Sequence, residues 1–150
     1  MGRELIMGKG KENRMTINTK NVIISGLVAG VIINLSAITM VPVVGNEMDA
    51  VIANLGLPPL SNAAMGYFSF ISFVFGMLLM YLYALAKPLF VSKIKTAVIV
   101  STIVWILAYL SSNLALAVYG FMPLKFVIIG SVWGLLELLL ASIIGSRFYK

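Results

Sequence analysis

One acidic residue stands inside a long apolar run of this sequence. Residues 131–145 read SVWGLLELLLASIIG, so Glu137 is flanked by leucines on both sides. A carboxyl group at membrane depth costs roughly 2.5–3.5 kcal/mol on insertion scales, and such groups often belong to ion pathways or proton relays. Glu137 is therefore the first candidate for chemistry, as a proton- or cation-coupled site.

Two other interpretations of Glu137 stay open at this stage. The carboxyl group could be neutral and donate a packing hydrogen bond to another helix, with Asn34 as the preferred partner and Ser36 or Ser72 as alternatives. It could also contact a lipid or a quinone. Apart from Lys125 at the outer end of the fourth predicted span, the predicted spans contain no lysine or arginine, so no cation inside the membrane offsets a charge on Glu137.

Other catalytic and metal-binding chemistry is missing from the sequence. The chain has no cysteine and no histidine, which removes thiolate nucleophiles and the commonest metal ligands. It has no glycine-rich phosphate loop, no Ser/His/Asp set and no twin carboxylates. Glu47 and Asp49 are two residues apart, a spacing that does not face one site on a helix. We therefore predict a non-enzymatic protein with no catalytic, cofactor or metal site.

The composition indicates a protein that crosses the membrane several times. Of the 150 residues, 61% are hydrophobic and 11% are charged, against about 45–50% and about 25% in a typical soluble domain. The net charge of +6 indicates membrane orientation. Because no nucleic-acid-binding motif accompanies it, the expected partner is the lipid bilayer and not nucleic acid.

Four apolar segments are long enough to span the bilayer. A span needs about 20 residues, and its backbone must satisfy its own hydrogen bonds as an α-helix. The predicted fold class is an all-α membrane protein, a four-helix transmembrane bundle over residues 21–150 that follows a polar tail over residues 1–20. The predicted spans are Val22–Val44, Ala64–Leu85, Thr96–Tyr119 and Pro123–Ile144.

The basic residues predict the orientation of the bundle. Lys125 is the only one that falls on the side opposite the termini. The positive-inside rule then places both termini in the cytoplasm of a bacterium, with the protein in the inner membrane. The ten residues on the terminal side are Arg3, Lys9, Lys11, Arg14, Lys20, Lys87, Lys93, Lys95, Arg147 and Lys150.

The first fourteen residues, MGRELIMGKGKENR, differ from the rest of the chain. They are polar and lack a helical apolar face. The segment that begins at Met15, MTINTKNVIISG, is typical of the start of a membrane protein. Lys11-Glu12 can be encoded as a ribosome-binding sequence just before Met15. Met1–Arg14 is either a translated leader or start-site misassignment, or else a genuine disordered cytoplasmic tail.

The longest predicted connection, residues 45–63, contains a helical pattern. Met48, Val51, Ile52 and Leu55 recur at helical spacing, with Asn46 as a plausible N-cap and Gly56 as a helix stop. We expect a short amphipathic helix outside the membrane. It would either lie in the interface and cover the bundle, or serve as a lid or a docking surface.

Small residues spaced four apart predict where helices touch. Helix 1 carries Gly26 and Gly30 on the same stripe as Asn34, and helix 4 carries a longer stripe that includes Glu137. The pattern predicts that helices 1 and 4 meet closely, or that one of them meets a second copy. The residues of the helix 4 stripe are Gly130, Gly134, Ala141 and Gly145.

Four segments carry a resemblance to a type of small bacterial four-span inner-membrane protein. This resemblance implies the topology but no activity, cofactor or functional residue. The small multidrug exporters also have four helices and a membrane carboxylate. Their key glutamate lies in the first helix, however, and helix 1 here has no acidic residue, which argues against membership. The segments are GLVAGVIIN at 26–34, LGLPP at 55–59, YALAKPLF at 83–90 and WGLLE at 133–137.

Two functions are expected from these features. The leading one is an accessory or structural subunit of a membrane assembly, either as a homo-oligomer or within a larger complex. The alternative is a small proton- or cation-coupled transporter or channel-like protein that uses Glu137.

Overall fold

The computed structural model describes residues 17–150, and within that range the chain is helical with no strand. All four helices are long and apolar enough to cross a membrane, so the predicted fold class is confirmed. A 3₁₀ turn, Lys87–Leu89, follows α2, and α3 includes a π-helical segment, Trp105–Leu110. The helices are α1 (Thr19–Asn54), α2 (Asn62–Ala86), α3 (Lys93–Val118) and α4 (Leu124–Phe148).

The first helix is longer than predicted. It runs for 36 residues without a break and continues through Pro42. The predicted end at Val44 is therefore wrong, and so is Asn46 as the N-cap of a separate helix. The outer segment is helical as expected, but it continues α1. Proline removes only one backbone donor, so the helix persists on either side of it.

Gly56 stops α1, as predicted. Its φ of +70° is left-handed, a conformation that favours glycine. The Gly56 N–H donates to the Ala53 carbonyl at 2.9 Å and the Leu57 N–H donates to the Ile52 carbonyl at 3.2 Å. This Schellman arrangement satisfies the last carbonyls of the helix. The connection to α2 is thereby shortened to residues 55–61.

The glycines of α1 pack against α2, and not against the glycine stripe of α4. A Cβ atom on Gly76 would fall 2.5 Å from the Gly26 carbonyl oxygen, which shows that the two backbones touch here. Helices α1 and α4 also meet, as predicted, but through Gly145, which lies beside Ser25 and Ala29. The glycines of α1 thus face α2, whereas the α4 stripe is divided between Gly134, which faces α3, and Gly145, which faces α1 as expected.

The core of the bundle is concentrated in one half of its length. We call the end that carries Lys150 the terminal end, and the end that carries residues 55–61 the loop end. No side chain of α1 beyond Ile33, of α2 before Gly76 or of α3 beyond Val104 is buried. Close packing therefore seals the terminal half, whereas α1, α2 and α3 pack more loosely in the loop half.

Both ends of the described chain lie together at the terminal end. The Asn21 side-chain amide donates to the Lys150 carbonyl at 2.6 Å. Of the seven basic residues in the described range, only Lys125 lies at the loop end, where it pairs with Glu47 at 2.6 Å. The cytoplasmic placement of the terminal end stays a prediction. The leader hypothesis for Met1–Arg14 concerns residues outside the described range.

Candidate intramembrane carboxylate site

Glu137 lies near the middle of α4, and its carboxyl group accepts a hydrogen bond from α3. The Tyr109 hydroxyl donates to Glu137 Oε1 at 2.8 Å. Glu137 is only 6% exposed, so this bond lies inside the bundle. A buried carboxyl group without a hydrogen-bond partner would be costly, and Tyr109 supplies one partner.

The π-helical segment of α3 positions Tyr109 toward α4. The Trp105 indole, four residues earlier, donates to the Ser131 carbonyl at 2.7 Å, and the Asn113 amide, four residues later, donates to the Ser131 hydroxyl at 3.2 Å. Side chains four apart share one helix face. The polar side chains of α3 therefore line up along α4, and single π-helical turns of this kind often occur at functional sites.

Gly134 provides the space for the Tyr109 ring. A Cβ atom at Gly134 would overlap Tyr109 Cδ1, so the ring lies directly on the α4 backbone. Glu137 is three positions after Gly134, and this spacing places both residues on the same face of α4. The small-residue stripe predicted from the sequence thus leaves room for the Tyr109 ring, whose hydroxyl donates to the carboxyl group of Glu137.

A second hydroxyl, from α1, lies beside the same carboxyl group. Ser36 lies near the Glu137 side chain, and its hydroxyl accepts a hydrogen bond from the Trp133 indole at 2.8 Å. Ser36 was one of the partners considered from the sequence. Trp133 and Ser36 together fasten α1 to α4 at the level of the site.

Asn34, the preferred partner from the sequence, bonds elsewhere. The Ser69 hydroxyl of α2 donates to Asn34 Oδ1 at 2.6 Å, and Asn34 Nδ2 donates to the Gly30 carbonyl at 3.0 Å. The predicted pair of Asn34 with Glu137 is therefore wrong. Residues two apart on a helix point in nearly opposite directions, so when Ser36 faces α4, Asn34 faces α2.

Glu137 opens onto a groove of about 450 Å³ to which all four helices contribute. The groove is partly open and lies mainly in the loop half. Ser72, another candidate partner of Glu137, lines the groove but donates its hydroxyl to the Phe68 carbonyl at 3.0 Å. The lining residues are Ile33, Ala37, Phe68, Ile71, Ser72, Phe75, Tyr109 and Glu137.

The chemistry available in this groove is narrow. Glu137 is its only acidic residue, and its lining contains no lysine or arginine. Among residues 17–150 no cluster of three or more potential metal ligands occurs. The arrangement can hold a proton on the carboxyl group, or a cation beside it.

Tyr109 was not singled out as a partner from the sequence. A signal was present, because Trp105, Tyr109 and Asn113 repeat at intervals of four. That spacing identifies a polar face of α3 but not the helix that it faces.

Comparison with known protein families, curated proteins and solved structures gave no significant match. Function is therefore argued from the geometry of this site.

Proposed function

We propose that this chain is a small proton- or cation-coupled transporter or channel-like membrane protein in which Glu137 is the exchange site. One observation carries the proposal: the only buried acidic residue in the described part of the chain opens onto a groove formed by all four helices. A carboxyl group that served packing alone would not need to open onto a groove.

The physical argument concerns charge. A carboxylate in a poorly hydrated site is costly unless a proton, a cation or several hydrogen bonds compensate it. Tyr109 provides a hydrogen bond but no positive charge. A proton or a cation that enters through the groove would provide the remaining compensation. Exchange of one for the other at Glu137 is the elementary step of coupled transport.

The uneven packing supports access from one side. In the terminal half, α1 and α2 touch through Gly26, Gly30 and Gly76, while the groove extends from Ile33 toward the loop end. In this proposal Glu137 is accessible from the loop end and closed off from the terminal end. Transport would require the terminal half to loosen in a second conformation.

An accessory or structural subunit of a bacterial inner-membrane assembly is the second candidate. The bond between Tyr109 and Glu137 favours it, because that bond joins α3 to α4 without any bound ligand. In this case Glu137 would stabilise the fold, and a second copy or a larger membrane complex would cover the bundle. Neither proposal includes an enzymatic reaction.

Proteoliposomes that contain a pH-sensitive dye test the two proposals. Inward and outward gradients of Na⁺, K⁺ or an organic cation are imposed, and internal pH is followed for wild type, Glu137→Gln and Glu137→Leu. Glu47→Gln is the matched control, because it removes an exposed carboxylate at the loop end. Thermal unfolding of each variant in detergent shows whether the fold is retained.

The transporter proposal expects proton movement in wild type and in Glu47→Gln. It expects that movement to be lost in Glu137→Gln, with the unfolding temperature retained. A wild-type protein that moves no protons under any gradient would contradict it. A lower unfolding temperature of Glu137→Leu together with co-purification of a stoichiometric membrane complex would then establish the subunit role.

A further inference from the structure

The donors of the groove limit what it can bind. The Tyr109 hydroxyl donates to Glu137 and the Ser72 hydroxyl donates to the Phe68 carbonyl. The other lining side chains are hydrocarbon or aromatic. When Glu137 is ionised, an anion or a sugar would find no free side-chain donor in this lining, and its polar groups would lose hydrogen bonds to water. The groove therefore selects against anionic and strongly polar ligands.

The groove also provides few ligands for small inorganic cations. Calcium takes six to eight oxygen ligands, and magnesium requires a near-octahedral oxygen shell. The groove lining offers one carboxylate and two hydroxyls, from Tyr109 and Ser72, so its side chains provide fewer oxygen ligands than these ions require. A cation that binds here must leave water easily, which describes an organic cation whose charge is surrounded by hydrocarbon.

The aromatic lining favours the same class of ligand. Phe68, Phe75 and Tyr109 line the groove, and the rings of Phe75 and Tyr109 meet edge to face at 6.2 Å. Aromatic faces attract cations, most strongly where water is excluded. The volume of about 450 Å³ lies within the range typical of small-molecule sites, about 300–1,000 Å³.

A path to the groove lies between α1 and α2. A second groove, of about 330 Å³, continues toward the loop end and shares Ala37, Phe68 and Ser72 with the first. Its outer lining includes Val41 and Leu60 and is largely apolar. A hydrophobic ligand could therefore reach Glu137 from the outer half of the bilayer.

We infer that the groove binds a lipophilic monovalent organic cation, with Glu137 as its counter-charge and Phe68, Phe75 and Tyr109 as its aromatic walls. This inference rests on the proposed function and names its substrate class. When the cation binds to the protonated site, the O–H bond of Glu137 breaks, the proton leaves to solvent, and a carboxylate–cation pair forms. Tyr109 on α3 is the other titratable group at the carboxyl group; the lining residues from α1 and α2 do not titrate.

Tetraphenylphosphonium is the probe, and triphenylphosphine oxide is its neutral counterpart. Binding to the purified full chain is measured by calorimetry, and proton release is measured in weakly buffered detergent solution. Glu137→Gln removes the charge, and Phe75→Leu removes a ring while keeping an apolar side chain. Phe70→Leu is the matched control, because Phe70 is on the same helix, 65% exposed and outside the groove.

Wild type should bind the phosphonium cation with release of up to one proton, and the neutral oxide at least about tenfold more weakly. Glu137→Gln should weaken cation binding about tenfold or more and abolish proton release. Phe75→Leu should weaken it about two- to fivefold, and Phe70→Leu should leave it unchanged.

Equal affinity for the neutral oxide, or full affinity in folded Glu137→Gln, would overturn the inference, since the probe would then only partition into detergent and apolar surface. If wild type binds no phosphonium but still moves protons through Glu137, the inference fails and the proposed function stands. If proton movement is absent as well, both fail.

Discussion

The Tyr109 hydroxyl of α3 donates to Glu137 of α4 at 2.8 Å, and the Tyr109 ring rests on Gly134, one turn earlier on the same helix. The ring and the hydroxyl are thus held by two residues of a single α4 face. This relationship gives Gly134 a defined role, because the glycine allows the ring to approach and the ring directs the hydroxyl to the carboxyl group. Packing and site chemistry are coupled at this point.

Removal of the Tyr109 hydroxyl should weaken the bundle modestly. Tyr109→Phe deletes the bond to Glu137 while keeping the ring on Gly134, and hydrogen bonds between membrane helices average about 0.6 kcal/mol with a maximum near 1.7. We expect a small decrease in unfolding temperature, measured by thermal denaturation in detergent. Tyr119→Phe, at a residue that is 73% exposed, should show no change. Equal behaviour of the two variants would contradict a stabilising bond.

A methyl group at Gly134 should displace the Tyr109 ring. Gly134→Ala introduces a Cβ atom that overlaps the ring, whereas the same change at Gly130 meets only Asn113 Nδ2 at 3.4 Å. Overpacking of this kind costs about 1–3 kcal/mol. Gly134→Ala should therefore lower the unfolding temperature and impair Glu137-dependent proton movement, and Gly130→Ala should do neither. Wild-type stability and proton movement in Gly134→Ala would show that the ring does not occupy this position.

The contact between α1 and α2 should tolerate no side chain at Gly76. A Cβ atom there would meet the α1 backbone at Gly26 and Gly30, which cannot move aside as a flexible side chain can. Gly76→Ala should separate the two helices and lower the unfolding temperature strongly. Gly66→Ala is the matched control on the same helix, because nothing lies within 4 Å of its added Cβ atom. If Gly76→Ala is as stable as Gly66→Ala, this backbone contact is not formed.

The orientation in the membrane can be mapped cleanly because the chain has no cysteine. Asp49→Cys introduces a thiol near the loop end and Val91→Cys a thiol at an exposed residue near the terminal end. A maleimide that cannot cross membranes should label Asp49→Cys in intact bacterial spheroplasts. It should label Val91→Cys only after lysis, because positively charged segments stay inside. The reverse pattern would contradict cytoplasmic termini.

Much of the fold follows from local features of the sequence. Each span is recognisable by itself, because a helix in lipid satisfies its hydrogen bonds within one segment. The stop at Gly56 also follows from one residue and its neighbours, since glycine adopts the left-handed conformation that ends a helix. The end of α1 predicted at Val44 was wrong because an apolar run marks the membrane-spanning segment and not how far the helix continues beyond it.

The partners of each helix face depend on the whole bundle. Sequence alone determined four apolar helices, a glycine stripe on α1 and another on α4, and one carboxyl group among the spans. Only the tertiary structure decided that Gly26 and Gly30 face α2, that Tyr109 bonds Glu137, and that a groove opens beside that bond. Helical spacing shows which residues share a face. The neighbour toward which that face turns depends on how all four helices pack together.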